Sequence, residues 1–332
     1  MSRPAWKSNI DGRVLSMVFI LIGLWVLFRL QVGEFYFSGE SIAKLLRDMS
    51  TWTILGAGMT LVIVAGHIDL SVGSLLAVAA ATGAFAINAE YGLGLSTVEG
   101  VALAVAAGTL LGFVQGLLTA YIRIPAFIVT LGGLFIFRGF TQKISAFDPR
   151  VPDSSWILSL GFEYLSPNLG WALGVIVCVV FIALQIRRRT ARVKAGLSVE
   201  PLWLTAAKGA VVSVLILGFV WKVNEYRGIP EQTLMMFAVL LIMHIVAHNT
   251  TFGRRLYAIG GNVEAARLSG IRVERYTVGI FVLMGFLASI AGIVWMAQNQ
   301  GSTKNAGEFY ELYAIAAVVI GGTSLAGGKG TI

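Results

Sequence analysis

The sequence predicts an all-α integral membrane protein, a polytopic helix bundle with broken or re-entrant helices and about ten membrane elements. Three observations carry this. Of 332 residues, 57% are hydrophobic and 13% are charged, against roughly 25% charged in an ordinary soluble domain. Mean hydropathy is +0.80, so many apolar side chains must face lipid. The apolar residues fall into successive runs near the roughly 20 residues that cross a bilayer.

The first run, 14–30, follows Lys7 and Arg13 and has no small-residue cleavage site after it, so it reads as a span and not as a removed leader. Runs 42–66 and 70–88 flank a polar string, His67 to Ser74. Run 98–122 carries Ala104, Gly108, Gly112, Gly116 and Ala120 at intervals of four. Such a stripe lets a second helix approach closely. Gly73, Ala77 and Ala81, and the set Gly285, Ala288, Ser289 and Gly292, repeat the theme. Run 125–140 opens on Pro125, suited to a first helical turn, and Gly132-Gly133 is expected to interrupt it. Runs 171–186, 204–223, 233–248 and 276–297 follow, with interfacial Trp171, Trp221 and Tyr226 near their ends. The last run, 312–322, is short and leads into Gly321-Gly322 and Gly327-Gly328. Broken helices are tolerated in a membrane where protein or a cavity covers the freed backbone, and transporters use such breaks.

Charge fixes the direction. Arg187, Arg188, Arg189, Arg192 and Lys194 make the segment 187–201 a basic loop, and Arg254, Arg255, Arg267, Arg272 and Arg275 do the same for 249–275. Two spans separate them, so both lie on one side, which the positive-inside rule makes cytoplasmic. Counting back places Arg123 and the amino terminus on that side too. Residues 1–332 thus form one transmembrane domain with two cytoplasmic loops.

Composition also excludes function classes. One cysteine, Cys178, and three histidines leave no disulfide framework and no Cys-based metal site. No HExxH, CxxC, GxSxG or Walker spacing occurs; Lys329 in the glycine-rich segment is wrongly spaced for a phosphate loop. No nucleophile, base and orienting group can be assembled, so no catalytic residue and no bound cofactor is expected. The net charge of +8 sits in short loops between spans, which marks membrane orientation and not nucleic-acid binding.

Among polar positions, Asp69 has two readings. It is an N-cap for the following span, or it belongs with His67, Ser71 and Gly73 to a helix break near a pathway, alongside Pro125. Arg123 is placed at the boundary, within reach of lipid phosphate. Arg138, late in its run, either snorkels to the outer face or lines a polar path. In 249–275, Asn262 can cap a short helix, Glu264 complements its first turn, and Gly270 can end it. Ala265, Ala266 and Leu268 permit close docking, and Arg267 is expected to pair with a carboxylate on a partner. A helix so short needs a surface to pack on: a cytosolic protein that pushes on it, or anionic lipid. A permease driven by a cytosolic motor fits these features. An ion-coupled secondary transporter is the alternative; it predicts acidic groups at mid-membrane, for which Glu308 and Glu311 are the nearest candidates.

Several strings resemble the bacterial ABC sugar permeases of the ribose/xylose class: Gly66-His67-Ile68-Asp69-Leu70-Ser71-Val72-Gly73-Ser74, Ile124 to Gly132, Phe137-Arg138-Gly139, Phe252 to Asn262, Glu264 to Ile271 and Ile320 to Gly328. The resemblance covers nearly the whole chain. It implies a second permease copy, a cytoplasmic ATP-binding-cassette ATPase holding ATP and Mg, and a periplasmic sugar-binding protein, in a bacterial inner membrane. It carries Asn262, Glu264, Ala265, Ala266, Arg267 and Gly270 over as ATPase-coupling residues. The insertion at 187–201 and the string Asn224 to Pro230 resemble the xylose branch, so D-xylose or a related pentose is the expected cargo. Trp52, Asn88, Gln115 and Gln298 are the polar or aromatic groups available to sugar hydroxyls. Members of the class usually continue past the glycine-rich segment, so the final run is expected to be incomplete.

Overall fold

The computed structural model describes residues 12–332; Lys7 lies outside them. Regular structure in these residues is helical: α1 (Gly12–Val32), α2 (Gly39–Val64), α3 (Val72–Ile87), α4 (Thr97–Ala120), α5 (Ala126–Ile144), α6 (Ser159–Phe162), α7 (Pro167–Lys194), α8 (Leu202–Asn224), α9 (Glu231–Asn249), α10 (Thr251–Gly261), α11 (Val263–Leu268), α12 (Val273–Asn299) and α13 (Tyr310–Ile320). Two isolated bridges, Arg150 with Gly301 and Tyr164 with Pro230, are the extended pairings among them.

Among the described residues, seven helical segments are long and apolar enough to cross a membrane, from α1 running on to Phe37, and from α4, α5, α7, α8, α9 and α12. The shorter apolar helices α3 and α13 and the 26-residue α2 join them. Together these match the ten or so elements read from the sequence.

The chain divides into two units. In the first, residues 12–46 and 164–230, α7 and α8 form an antiparallel hairpin. Small residues set the approach: a Cβ on Gly174 would stand 3.0 Å from Val220, and one on Gly170 would stand 3.0 Å from Asn224. Cys178 is buried on the same face, its Sγ 3.9 Å from the Ser213 carbonyl. The outward faces expose Val175, Val179, Leu215 and Val214, as lipid-facing helices require. The basic residues Arg187 to Lys194 are not in a loop. They continue α7 by two turns, and the non-helical link is 195–201. Charged side chains tolerate a helix that runs beyond the apolar zone, so loss of hydrophobicity marked the bilayer edge and not the helix end.

In the second unit, residues 47–163 and 231–332, the core is a sandwich of α3, α4 and α12. In α3 every residue except Thr82 and Phe85 is buried. A capping box starts α4: the Glu99 N–H donates to Ser96 Oγ (3.4 Å) and the Ser96 N–H to Glu99 Oε2 (2.9 Å). The face of α4 bearing Ala104, Gly108, Gly112 and Gly116 is buried. A Cβ on Gly112 would overlap the Phe281 carbonyl and lie 3.1 Å from Gly285 Cα; one on Gly116 would lie 2.9 Å from Val278 Cα. One on Gly108 would strike the Ser289 hydroxyl. Farther along α12, Gly292 faces Leu76 and Ala80 of α3. The small residues of α12 are therefore the other half of the α4 contact and also the seat of α3. With no hydrophobic driving force between helices in lipid, backbone approach of this kind supplies the packing.

Gly132-Gly133 does not interrupt α5, which is continuous from Ala126 to Ile144, and Pro125 is its N-cap residue instead of lying in its first turn. Bundle packing outweighs the glycine penalty of about 1 kcal/mol per residue. Gly133 has a separate use: a Cβ there would overlap Gln115 Nε2 and press 3.0 Å from the Phe137 ring.

Candidate functional site

Between α2 and α3 the chain runs without regular structure. Gly66, at φ +82°, ends α2: its N–H donates to the Ile63 carbonyl (2.9 Å) and the His67 N–H to the Val62 carbonyl (3.1 Å). This Schellman arrangement needs a left-handed residue, for which glycine carries no steric cost. Asp69, fully buried, then folds the backbone. Its Oδ1 accepts from the Ser71 N–H (2.8 Å) and the Ser71 hydroxyl (2.6 Å). The N-cap of α3 is Ser71, with no side-chain cap of its own. Asp69 is thus a turn-former that accepts the amide two residues on, and not the cap; its hydroxyl partner is spent on the carboxylate.

The break is tied down on two sides. Gln115 of α4 donates Nε2 to Ser71 Oγ (2.8 Å), and the Thr130 hydroxyl of α5 donates to the Ile68 carbonyl (3.3 Å). Ser74 donates to the Leu134 carbonyl (3.0 Å). His67 Nε2 lies 3.5 Å from Thr277 Oγ1, with its ring 5.8 Å from that of Phe281. A Cβ on Gly73 would come within 2.5 Å of Glu311 Oε2, in the first turn of α13. Asp69 Oδ2 and Glu311 Oε2 are buried without a hydrogen-bond partner. Arg138 neither snorkels freely nor lines an open path: it donates to the carbonyls of Ala306 (2.5 Å) and Gly307 (3.3 Å), in the loop that leads into α13.

The segment 249–275 holds two helices where one was expected. Thr250 caps α10, its hydroxyl accepting from the Gly253 N–H (3.1 Å). Leu256 and Ile259 are buried while Arg254, Arg255 and Ala258 are exposed, a helical period that the sequence itself carries. Asn262 caps α11 by accepting from the Ala265 N–H (2.9 Å). Gly270, at φ +81°, closes it: its N–H donates to the Arg267 carbonyl (3.0 Å) and the Ile271 N–H to the Ala266 carbonyl (3.1 Å). Ala266 faces inward and packs with Ile259 and Val273. Glu264, Ala265 and Leu268 face outward. Arg267 pairs at 3.1 Å with Glu274 of the same chain, so its carboxylate is supplied internally.

These two places meet through backbone. A Cβ on Gly260 of α10 would overlap the Val64 carbonyl at the end of α2 and lie 2.7 Å from the Gly328 nitrogen. The Gly328 N–H itself donates to Val64 O (2.9 Å), and Tyr257 donates its hydroxyl to the Gly330 carbonyl (2.8 Å). Sequence reading missed Gly260 as a contact, because close approach between distant segments leaves no local signal.

Of the groups available to sugar hydroxyls, three are engaged in structure. Gln115 serves Ser71. Asn88 donates to the Arg150 carbonyl (2.9 Å) and caps a turn at Glu90 and Tyr91. Gln298 bridges the Arg47 carbonyl (2.9 Å) and Gln232 (2.5 Å). Trp52 is exposed. No group of three or more metal-ligating side chains occurs among the described residues.

Such a bundle, multi-pass and apolar outside with polar breaks sealed inside, is a membrane-transport architecture. The chain belongs to the family described as the branched-chain amino acid transport system / permease component, whose model matches residues 41–329. It is 37% identical over 324 residues to the Xylose transport system permease protein XylH of Escherichia coli (strain K12), covering 98% of this chain and 82% of that protein. The XylH of Haemophilus influenzae is 36% identical over 98% of this chain and 86% of its own. The Ribose import permease protein RbsC of Escherichia coli (strain K12) is 33% identical over 90% of this chain and 74% of its own. No solved structure matches.

Proposed function

We propose that this chain is the membrane-spanning permease subunit of an ATP-binding-cassette importer that carries a monosaccharide, D-xylose or a related pentose, across a bacterial inner membrane. The observation that carries the reading is the 37% identity to a xylose permease over 98% of the chain. The sequence has no phosphate-loop motif, so ATP and Mg are assigned to a separate cytoplasmic ATPase, and the chain itself acts as a path without catalysis. A second permease copy completes that path, a periplasmic sugar-binding protein loads it, and membrane lipid surrounds it, with the amino terminus on the cytoplasmic side.

In this reading α10 and α11 receive the ATPase. Asn262 and Gly270 fix the two ends of α11, Ala266 seats it on the bundle, and Glu264, Ala265 and Arg267 present its outer side. Movement there reaches Val64 through Gly260 and so displaces the break that holds His67, Asp69, Ser71 and Gly73, with Pro125 at the neighbouring helix start. Gly108, Gly112 and Gly116 keep α4 and α12 rigid while this happens.

The test is uptake into vesicles carrying the complete transporter, with pentoses and hexoses compared. ATP-dependent uptake that prefers xylose is the expected result. Uptake driven by an ion gradient without ATP overturns the assignment in favour of a secondary transporter.

A further inference from the structure

Two carboxylates share the junction of α3 and α13. Asp69 is fully buried and Glu311 is 7% exposed. They come from distant parts of the sequence and meet beside Gly73, where a Cβ would stand 2.5 Å from Glu311 Oε2. Main chain brings them together. A Cβ on Gly307 would overlap the Gly73 carbonyl, so the loop before α13 lies against the first turn of α3. Arg138 of α5 fixes that loop through the carbonyls of Ala306 and Gly307. Glu311 is near enough for its charge to act on Asp69.

The hydrogen bonding of the two groups is incomplete. Asp69 Oδ1 takes the Ser71 N–H and the Ser71 hydroxyl. Asp69 Oδ2 and Glu311 Oε2 are buried with no hydrogen-bond partner among the described residues. The neighbouring donors are turned elsewhere: Gln115 of α4 spends its amide on Ser71, and Thr130 of α5 its hydroxyl on the Ile68 carbonyl.

The charges do not balance either. Arg138 is the cation whose charge reaches Glu311, while the exposed Glu308 adds a like charge. His67, on the same break, faces Thr277 and Phe281 of α12. Two buried carboxylates thus stand against one guanidinium. A buried charge without compensation is strongly disfavoured, and the group takes up a proton instead. Where two carboxylates occupy one site, the pair retains one proton.

We propose that Asp69 and Glu311 form a proton-binding pair that holds one proton between them at neutral pH. A proton needs no shell of oxygen ligands, which suits two side chains this enclosed. It is taken from water, and no other bond changes. While it is bound, the first turn of α13 rests against α3. Its loss leaves two like charges in one buried site and drives those helices apart. The break between α2 and α3 is thereby sensitive to pH, whatever cargo the chain carries.

The test is infrared difference spectroscopy of the purified full chain in detergent, with no sugar, ATP or ion gradient present. Exposed carboxyls ionise near about pH 4 and give no protonated signal at neutral pH. The wild type is expected to show there the C=O band of a protonated carboxyl, shifted in heavy water. Asp69→Asn and Glu311→Gln are each expected to lose that band, because the carboxylate left behind has its own support: Arg138 for Glu311, Ser71 for Asp69. A wild type without the band overturns the proposal, and this measurement needs no variant to fold. A band kept by both variants places the proton on another residue, and a band lost in only one assigns it to a single carboxyl; either result overturns the pair. Nothing is transported in this measurement, so a negative result leaves the proposed transport function standing.

Discussion

Gly260 of α10 lies so close to the carbonyl of Val64, the last residue of α2, that the site has no room for a methyl group. The helix pair between two spans and the helix break inside the bundle therefore touch main chain to main chain. Gly260→Ala is expected to force this contact apart, at a cost of about 1–3 kcal/mol for an overpacked site. Thermal unfolding in detergent should show the drop, and transport should fall further than stability does. An unchanged melting point would show that the two segments separate freely.

Gly112 is enclosed by Phe281 and Gly285 of α12. Gly112→Leu places four carbons against main chain that cannot retreat without unzipping α4 from α12. Poor recovery of folded protein is the expected outcome, measured by monodispersity after detergent extraction. Normal recovery and uptake would mean this face is not a tight contact.

Asp69 has two separable properties, the acceptor Oδ1 and a formal charge. Asp69→Asn keeps the acceptor for the Ser71 N–H and hydroxyl, and is expected to stay within about 1 kcal/mol of wild type. Asp69→Ala leaves a buried amide and hydroxyl to find other partners, and should cost about 1–3 kcal/mol. Equal loss in both variants, read by unfolding in detergent, would show that the charge matters and not the turn.

The Arg267–Glu274 pair is exposed, with 58% of the arginine side chain open. Exposed pairs contribute about 0–1 kcal/mol, so Arg267→Ala should barely move stability. Glu264→Arg, on the outer side of α11, is expected to weaken ATPase co-purification while leaving the association with the sugar-binding protein intact. Loss of both partners together, or of neither, would remove α11 from the coupling role.

Gly270 closes α11 at φ +81°. Gly270→Ala should cost about 1–2 kcal/mol for a side chain held in left-handed backbone. Protease sensitivity between α11 and α12 is the sensitive readout.

The spans were legible because lipid imposes a length and a composition on each of them, and ends such as Asn262 and Gly270 were legible because capping is local. Three things were not. The continuation of α7 through Arg187 to Lys194 was hidden because charge reports the bilayer edge, while helix formation depends on backbone propensity. The continuity of α5 through Gly132-Gly133 was hidden because tertiary packing decides whether glycines bend a helix, and Gly133 proves to make space for Gln115. The contact of Gly260 with Val64 joins residues nearly two hundred positions apart, which no single segment records. Asp69 lay in between: its turn-forming chemistry was readable, but whether it capped α3 depended on where the helix began.

The burial of α3 has a bearing on how the protein is made. Its break is sealed by Gln115, 44 residues after Ser71, and by Thr130, 62 residues after Ile68. Until those segments leave the ribosome, Asp69 has no shelter and a 16-residue helix has no neighbours. Because α12 supplies the other seat of α3 through Gly292, α3 reaches its final packing only once the chain has been made past Gly292, long after its own residues have emerged.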